Sequence, residues 1–280
     1  AARARKKLLA RGEALLKKLT PRRLRSVLAT EPQWFLFSLK ADVVGFMRVT
    51  EAPARRHDAD GVERTKWIVM NLPGPKGEDP AAHLLKSVQF TTADQSVAAW
   101  RERLQVGRDP VLQRTQEDGL KQNELILCTH IRDERAGKGR TVRQPRTVQT
   151  RLPEGIRKAY LSRCAGDLLG RLVDRDEPTS YAFATYNSQA NAFDLRTYRV
   201  IGPARVRHDG RRVPATHVQD QPAADRAPTD LWLDADGRIL RMQTAEGLRM
   251  ERVDRRQVLR RFPQAETTLG DLDRLDRKTR

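Results

Sequence analysis

The sequence predicts an α+β protein built on one large, curved antiparallel β-sheet, a half-barrel-like meander with a central helix and an N-terminal amphipathic helix. Apolar and polar residues alternate over most of residues 31–263, which is the period of strands with one buried face. Asp-Gly turns join several of these segments, as in β-hairpins. Two other segments repeat their apolar residues at helical spacing. Residues 31–263 therefore form the predicted β-rich domain, between a helical segment at 1–30 and a polar tail at 264–280.

Residues 1–30 predict a basic helical segment. Leucines recur at helical spacing between residues 4 and 19, and ten Lys or Arg stand against one acidic residue in the first 28. Thr20 and Pro21 predict the N-cap and first turn of a second short helix. A basic amphipathic helix suits docking to an anionic surface. The residues that we expect at such a surface are Lys6, Lys7, Arg11, Lys17, Lys18, Arg22 and Arg23.

Strands are predicted from residue 34 onward. Residues 43–50 and 67–70 alternate with period two on either side of a turn at 57–61, which predicts a β-hairpin. A Pro- and Gly-rich stretch at 73–77 predicts a surface loop. Further strands are expected at 84–92, 96–104, 123–132 and 141–150.

One helix is predicted at residues 155–173, between two β-rich halves. Apolar residues repeat there every four positions, and basic residues lie off that stripe. We expect this helix to pack on the sheet through its apolar face, with Cys164 buried and inert. The residues of the stripe are Ile156, Tyr160, Cys164, Leu168 and Leu172.

The second half resumes the strand pattern after Pro178. Hairpin turns are predicted at Asp209-Gly210 and at residues 234–237. Both halves carry an Arg-Val strand that leads to an Arg-His-Asp turn, which indicates either an internal duplication or the shared chemistry of hairpin turns. The tail from residue 264 is polar and is expected to fray. The strands predicted in this half lie at 181–186, 195–201, 205–208, 212–218, 231–233, 239–244 and 248–250.

No residue set in the sequence has the spacing of a metal, cofactor or catalytic site. Cys128 and Cys164 lie in no metal-ligand spacing, although one disulfide between them is allowed. Cys128 and His130 fall on one face of a strand without a recognisable third ligand. Residues 234–245 begin like a calcium loop and lack its later acidic ligands, and the Gly-Lys-Gly at 137–139 lacks a phosphate-binding pattern. We therefore expect no enzyme activity, no metal and no cofactor.

The charge of the chain is concentrated at its N-terminus. The 280 residues carry a formal net charge of +18, and half of that excess lies in residues 1–28. The rest of the chain is only mildly basic, which disfavours nucleic acid as a partner of the sheet. Hydrophobic residues make up 38%, enough at this length for a sizeable core, and no apolar stretch is long enough to span a bilayer. The first residue is Ala1 rather than Met, and we expect that a signal peptide has been removed.

The stretch from residue 178 to residue 262 resembles uncharacterised bacterial envelope β-proteins. The resemblance includes a Trp-Leu-Asp-x-x-Gly turn at 232–237, and a strand at 43–47 is similar to one near the start of such proteins. Their fold is similar to that of the lipoprotein carriers, a half-barrel with helices across its concave side. The resemblance implies a location in the bacterial periplasm or cell envelope. It rests on residues 178–183, 199–202, 209–215 and 229–241.

We expect a non-catalytic, extracytoplasmic binding protein whose concave apolar sheet face, covered by a helix, accepts a lipid or another hydrophobic small molecule. An alternative is an electrostatic module that binds an anionic membrane surface or nucleic acid through the N-terminal helix. A hydrolase with an unrecognised site is a third interpretation. The residues expected to line the hydrophobic cavity are Phe46, Trp67, Phe183, Trp232, Met242 and Met250.

Overall fold

One antiparallel sheet of 14 strands dominates the computed structural model. The structure describes residues 2–72, 81–106, 112–121, 124–133, 146–187, 190 and 192–277. Between residues 106 and 148 it describes only the backbone of the strands. The strands are β1 (Gln33–Leu39), β2 (Asp42–Arg56), β3 (Ala59–Leu72), β4 (Ala81–Thr92), β5 (Ala98–Val106), β6 (Leu112–Lys121), β7 (Glu124–Asp133), β8 (Arg146–Arg151), β9 (Thr179–Asn187), β10 (Ala192–His208), β11 (Arg211–Gln221), β12 (Thr229–Leu233), β13 (Ile239–Gln243) and β14 (Leu248–Val253). The helices are α1 (Ala2–Lys17), α2 (Pro21–Ser26), α3 (Glu154–Arg157), α4 (Arg163–Leu172), α5 (Arg255–Arg261) and α6 (Ala265–Arg277).

Two meanders meet in the middle of the sheet. The strand order is β8-β7-β6-β5-β4-β3-β2-β1-β14-β13-β12-β11-β10-β9, so the first and last strands of the chain pair with each other. β8 and β9 are the two edges, and in the described part of the chain they do not pair, which leaves the sheet open. The predicted α+β fold with a large, half-barrel-like antiparallel sheet is confirmed.

The sheet curves around α4, because strands from both halves contact this helix. Asp167 on α4 accepts a hydrogen bond of 2.8 Å from Arg64 on β3. On the other side, Arg196 on β10 donates to the Gly166 carbonyl at 3.2 Å. We call the concave face that surrounds α4 the inner face of the sheet, and the opposite one the outer face.

The prediction of a single helix at 155–173 is wrong, because an extended segment separates α3 from α4. Ser162 caps α4 by accepting a hydrogen bond of 3.3 Å from the amide three residues further on. The preceding residues pair with the edge strand β9: the Leu161 amide donates to the Ala184 carbonyl, and the Ala184 amide donates to the Ala159 carbonyl, both at 2.9 Å. The helix cap and the pairing of a sheet edge prevail over the helical spacing of the apolar residues.

The two N-terminal helices pack on the sheet through their apolar residues. α1 crosses β9 at Gly12, where a Cβ atom would come within 2.1 Å of the Ala182 carbonyl oxygen. Thr20 caps α2 as predicted, its hydroxyl accepting from the Arg23 amide at 3.1 Å. The leucines buried in the main core from this segment are Leu15, Leu16, Leu19 and Leu24.

The prediction of a frayed tail is wrong for residues 265–277, which form α6. Ala265 and Leu269 lie one turn apart and are buried against the aromatic outer face of β1–β3. Asp273 accepts a hydrogen bond of 3.0 Å from the indole nitrogen of Trp67 on that face. An apolar pair within a polar sequence is a weak signal, and its packing partner is distant in the chain.

Two hairpin turns show how far turn chemistry can be read from sequence. Asp209 and Gly210 have φ values of 47° and 76°, the two-residue hairpin turn that their sequence predicts. The turn predicted at 57–61 is shorter, because only His57 and Asp58 take positive φ values and β3 begins directly after them.

The strand prediction is weakest at the edge of the sheet formed by β6, β7 and β8. β6 lies where no strand is predicted, because most of its residues are polar. β8 starts only at residue 146, and the earlier part of the strand predicted at 141–150 lies outside the described residues. The predicted loop at 73–77 and the Gly-Lys-Gly at 137–139 also lie outside them.

Candidate functional site

A cavity of about 340 Å³ lies between α4 and the inner face of the sheet. One wall is apolar and comes mainly from the middle strands; its residues are Phe35, Phe37, Met47, Ile68, Leu231, Leu233, Ile239, Met242 and Met250. The other wall is charged and polar and comes mainly from α4, β3 and β10; its residues include Gln33, Arg64, Lys66, Asp167, Arg171, Arg196, Tyr198, Asp220 and Arg238. A mostly apolar space with a few convergent polar groups is typical of small-molecule sites.

Glycines let α4 lie close to the sheet beside this cavity. A Cβ atom on Gly170 would come within 2.7 Å of the Gly237 carbonyl oxygen, and one on Gly166 would come within 2.4 Å of the Arg196 guanidinium. Gly237 itself has a φ of 76° in the turn between β12 and β13, a conformation that favours glycine. A larger side chain at Gly170 would therefore push α4 away from the sheet, whereas one at Gly166 would displace the Arg196 guanidinium.

Glu51 on β2 anchors the charged wall. Arg64 donates to Glu51 Oε1 at 3.0 Å, and Arg171 donates to the two carboxylate oxygens at 2.5 and 3.0 Å. The Ala29 amide adds a hydrogen bond of 2.8 Å, and the Glu51 side chain has no exposed surface. Burial alone would raise the pKa of Glu51, but the hydrogen bond from Arg171 and the two arginine charges hold the pKa below its ordinary value.

Asp167 joins α4 to two cations of β3. Arg64 donates to Asp167 Oδ2 at 2.8 Å, and the Lys66 ammonium pairs with the same oxygen. Burial would raise the pKa of Asp167, but the charges of Lys66 and Arg64 hold it well below its ordinary value. Burial dominates at Lys66 and lowers the pKa of its ammonium group, although Asp167 works in the opposite direction. Burial of the Lys66 ammonium therefore costs desolvation free energy that its pairing with Asp167 only partly offsets.

Arg196 and Tyr198, two positions apart on β10, complete the charged wall. Arg196 makes a two-point pair with Asp220, with distances of 2.8 and 2.6 Å. Tyr198 is only 1% exposed, and its hydroxyl has no hydrogen-bond partner among the described residues. Burial, followed by the negative charge of Asp220, raises the pKa of Tyr198, so the phenol stays protonated and is a hydrogen-bond donor aimed at no acceptor.

The six residues predicted to line a hydrophobic cavity do not form one surface. Met242 and Met250 line the cavity beside α4. Phe46 and Trp67 lie on the outer face under α5 and α6, with Phe46 packed on Phe262. Phe183 lies on the inner side but is buried between helices and sheet in the main core, where its ring faces Gly12 of α1. Trp232 lies on the outer face, where it stacks on His217.

The predicted anionic-surface residues divide into exposed cations and cations used by the fold. The fold uses Arg23, which donates to the Leu172 carbonyl at 2.8 Å, and Arg11, which reaches the Ser180 carbonyl at 3.5 Å. Lys17 is exposed and pairs with Glu13 at 2.8 Å. The other four, Lys6, Lys7, Lys18 and Arg22, are exposed.

The described part of the chain shows no reactive thiol and no metal site among the residues considered for such chemistry. Cys164 is a free, buried thiol whose pKa is raised to about 12 by burial, in agreement with the expected inert role. No three His, Cys, Asp or Glu side chains come together among the described residues in a way that would hold a metal ion. The side chains of Cys128 and His130 lie outside the described residues.

Sequence reasoning missed the charged wall. Its signal is present in β3, where Arg64 and Lys66 occupy alternate positions between Val62 and Ile68 and therefore share their inner face. Charged residues at alternate positions are typical of the solvent-exposed face of a strand, and the sequence does not show that a helix covers this face. Asp167 was also missed, because it directly precedes Leu168 of the apolar stripe and is expected on the solvent side of its helix.

Among the residues that the structure describes, no helix is long and apolar enough to cross a membrane.

No family model matches the chain, and no curated protein matches its sequence. A solved structure from Brucella abortus, described as a beta-barrel-like protein of the domain of unknown function DUF1849, is similar in fold, with a TM-score of 0.54 and 12% sequence identity. The match covers 80% of this chain and 95% of that chain. At this identity the likeness shows the fold alone. The chain therefore has a barrel-like antiparallel fold that is also found in an uncharacterised β-protein.

Proposed function

We propose that this protein binds a hydrophobic small molecule, such as a lipid acyl chain, in the cavity between α4 and the inner face of the sheet, without acting on it chemically. The observation that carries the proposal is the cavity itself, bounded by Phe37, Met47, Met242 and Met250. Tightly packed interiors rarely leave a space of this size lined by large apolar side chains unless it has a use.

Two features of the apolar wall support this proposal. Three methionines, Met47, Met242 and Met250, face the cavity, and flexible thioether side chains adapt to ligands of varied shape. Met242 and Ile239 are only half-buried, so the described structure leaves apolar surface there that an occupant would remove from water. We also propose that the protein acts in the periplasm or cell envelope, because its sequence resembles those of envelope β-proteins.

Uptake of the uncharged probe N-phenyl-1-naphthylamine tests the proposal. Its fluorescence rises in apolar surroundings, and we expect saturable uptake by the wild-type protein. Met242→Trp places a larger side chain in the cavity and should strongly reduce uptake. Gln243→Trp is the matched control, because residue 243 is exposed and points away from the inner face. Equal uptake by the two variants, or no uptake by the wild type, would contradict the proposal.

Extraction of the natively purified protein, followed by mass spectrometry, identifies what it carries. We expect a stoichiometric apolar compound in wild-type protein and its loss in Met242→Trp. The same compound retained by Met242→Trp would place it outside this cavity.

A further inference from the structure

The charged wall of the cavity has one more positive charge than its carboxylates balance. Arg238 also lines the cavity, but it is paired with Asp236 at 3.7 Å and is therefore left out of the balance. The remaining four cations lie there with three carboxylates among the described residues, and each is held in an ion pair with another member of the set. Glu102, which also acts on Lys66, is paired with Arg163 and so leaves this balance unchanged. The cations are Arg64, Lys66, Arg171 and Arg196, and the carboxylates are Glu51, Asp167 and Asp220.

This excess charge is shielded from water. The side chains of Arg64 and Arg171 are 8% and 6% exposed, and those of Lys66 and Arg196 are 18% and 17% exposed. An uncompensated charge at such a depth is unfavourable unless a counter-charge joins it. The pKa of Lys66 agrees with this, since burial lowers it despite the opposing charge of Asp167.

Three hydrogen-bond donors on the cavity lining are also without acceptors. They are the Tyr198 hydroxyl, Gln33 Nε2 and Arg238 Nε, each buried and unpartnered within the described part of the chain. Tyr198 Oη lies at α4, 3.2 Å from where a Cβ of Gly170 would stand, and Asp167, the partner of Lys66, is one turn earlier on the same helix. Buried donors are rarely left unpaired, and all three belong to residues that line the cavity.

We infer that the ligand is an amphiphile whose head group carries one negative charge on oxygen atoms, a carboxylate or a phosphodiester, held against α4 by the Lys66 ammonium and the Tyr198 hydroxyl. One negative charge balances the wall, and oxygen lone pairs supply the missing acceptors. The apolar wall opposite then contacts the acyl chain. This inference rests on the proposed binding of a hydrophobic molecule and adds its chemical class.

Matched pairs of lipids with one chain length test the head group. Displacement of N-phenyl-1-naphthylamine is measured for laurate against methyl laurate, and for lauroyl-lysophosphatidylglycerol against its zwitterionic choline counterpart. We expect the anionic member to bind about tenfold more tightly in at least one pair, the usual size of a charge-assisted hydrogen bond. The pair that shows the preference identifies the head group as carboxylate or phosphodiester.

Three variants assign that preference to the wall. Lys66→Met should remove the preference while leaving the affinity for methyl laurate within about twofold, and Tyr198→Phe should reduce the preference about threefold or more. Lys40→Met, at an exposed position in the turn between β1 and β2, is the control and should bind as the wild type does. Retained probe uptake by Lys66→Met shows that the variant is folded.

The outcomes separate this inference from the proposed function. Equal affinities within both lipid pairs, or an anion preference that persists in Lys66→Met, would overturn the head-group assignment while leaving hydrophobic binding intact. A wild-type protein that takes up neither the probe nor any of the lipids would overturn the proposed function itself.

Discussion

The two faces of the same strands carry large apolar side chains, but only the outer face is fully covered by helices. Trp34 and Phe46 on the outer face of β1 and β2 are sealed under α5 and α6, whereas their neighbours Phe35 and Met47 on the inner face border an open cavity. Composition does not distinguish the two faces, because both are rich in large apolar residues. The faces differ in how closely helices pack on them. Helices α5 and α6 pack directly on the outer face, whereas a cavity remains between α4 and the inner face. Whether a face of this sheet borders a cavity thus depends on how closely its covering helices fit.

Truncation of one phenylalanine on each face compares them directly. Phe46→Ala removes a ring that is 1% exposed and packs at 5.1 Å between centroids on Phe262, and should lower the free energy of unfolding by about 4 kcal/mol. Phe37 lines the cavity, so we expect its ring to have fewer close contacts to lose, and Phe37→Ala should cost about 1 to 2 kcal/mol less. Urea denaturation measures both values. Equal losses would mean that the inner face is as fully packed as the outer one.

Glu51→Gln tests whether the inner wall is held by charge. The variant keeps the shape of the side chain but leaves Arg171 without a carboxylate and Arg64 with Asp167 alone. We expect a loss of about 3 kcal/mol in the free energy of unfolding, since breaking a buried ion pair strands its partner. Glu63→Gln is the control on β3, because Glu63 and Arg56 form a partly exposed pair, and it should change stability by under about 1 kcal/mol. A similar small change for both variants would contradict the account of the charged wall.

The charged wall also predicts how stability depends on pH. Glu51 and Asp167 have folded-state pKa values below their ordinary values, so the unfolded chain binds more protons than the folded one as pH falls. Their contribution is fully present above about pH 5 and is lost progressively below it. Denaturation midpoints at pH 7, 5 and 3.5 should therefore fall most steeply over the last interval. Asp167→Asn should flatten that fall, and an unchanged slope in this variant would contradict the assignment.

The smallest effect is expected at the unpaired donor of the inner wall. Tyr198→Phe removes a buried hydroxyl that has no partner among the described residues, so the variant should be as stable as the wild type or up to about 1 kcal/mol more stable without ligand. Thermal denaturation of delipidated protein measures the change. A loss above about 1 kcal/mol would show that the hydroxyl is already engaged inside the folded protein.

Local patterns in the sequence predict much of the sheet but little of the site. Period-two alternation and the Asp209-Gly210 turn lead to the antiparallel meander, because strand faces and hairpin turns are set by neighbouring residues. The cover of each face depends on contacts between distant segments, such as Trp67 with Asp273 in α6. For this reason Phe46 and Trp67 were expected at a cavity and lie under a helix, whereas Arg64 and Lys66 were overlooked.

The break between α3 and α4 has the same origin. The apolar stripe from Ile156 to Leu172 has a helical period, and only the edge of β9, more than 20 residues further along the chain from Leu161, pairs with the segment that interrupts it. Local spacing predicts which residues are buried, and Cys164 and Leu168 are indeed buried. It does not predict that the chain must leave the helix to pair with a strand.

Photo-crosslinking tests most directly whether the inner face holds the ligand. The protein is saturated with a laurate analogue that carries a diazirine in its chain, irradiated and digested, and the modified residues are mapped by mass spectrometry. We expect labels on the inner face, at Met47, Met242 or Met250, and their loss in Met242→Trp. Labels confined to Trp232 or to the surface of α5 and α6 would contradict it.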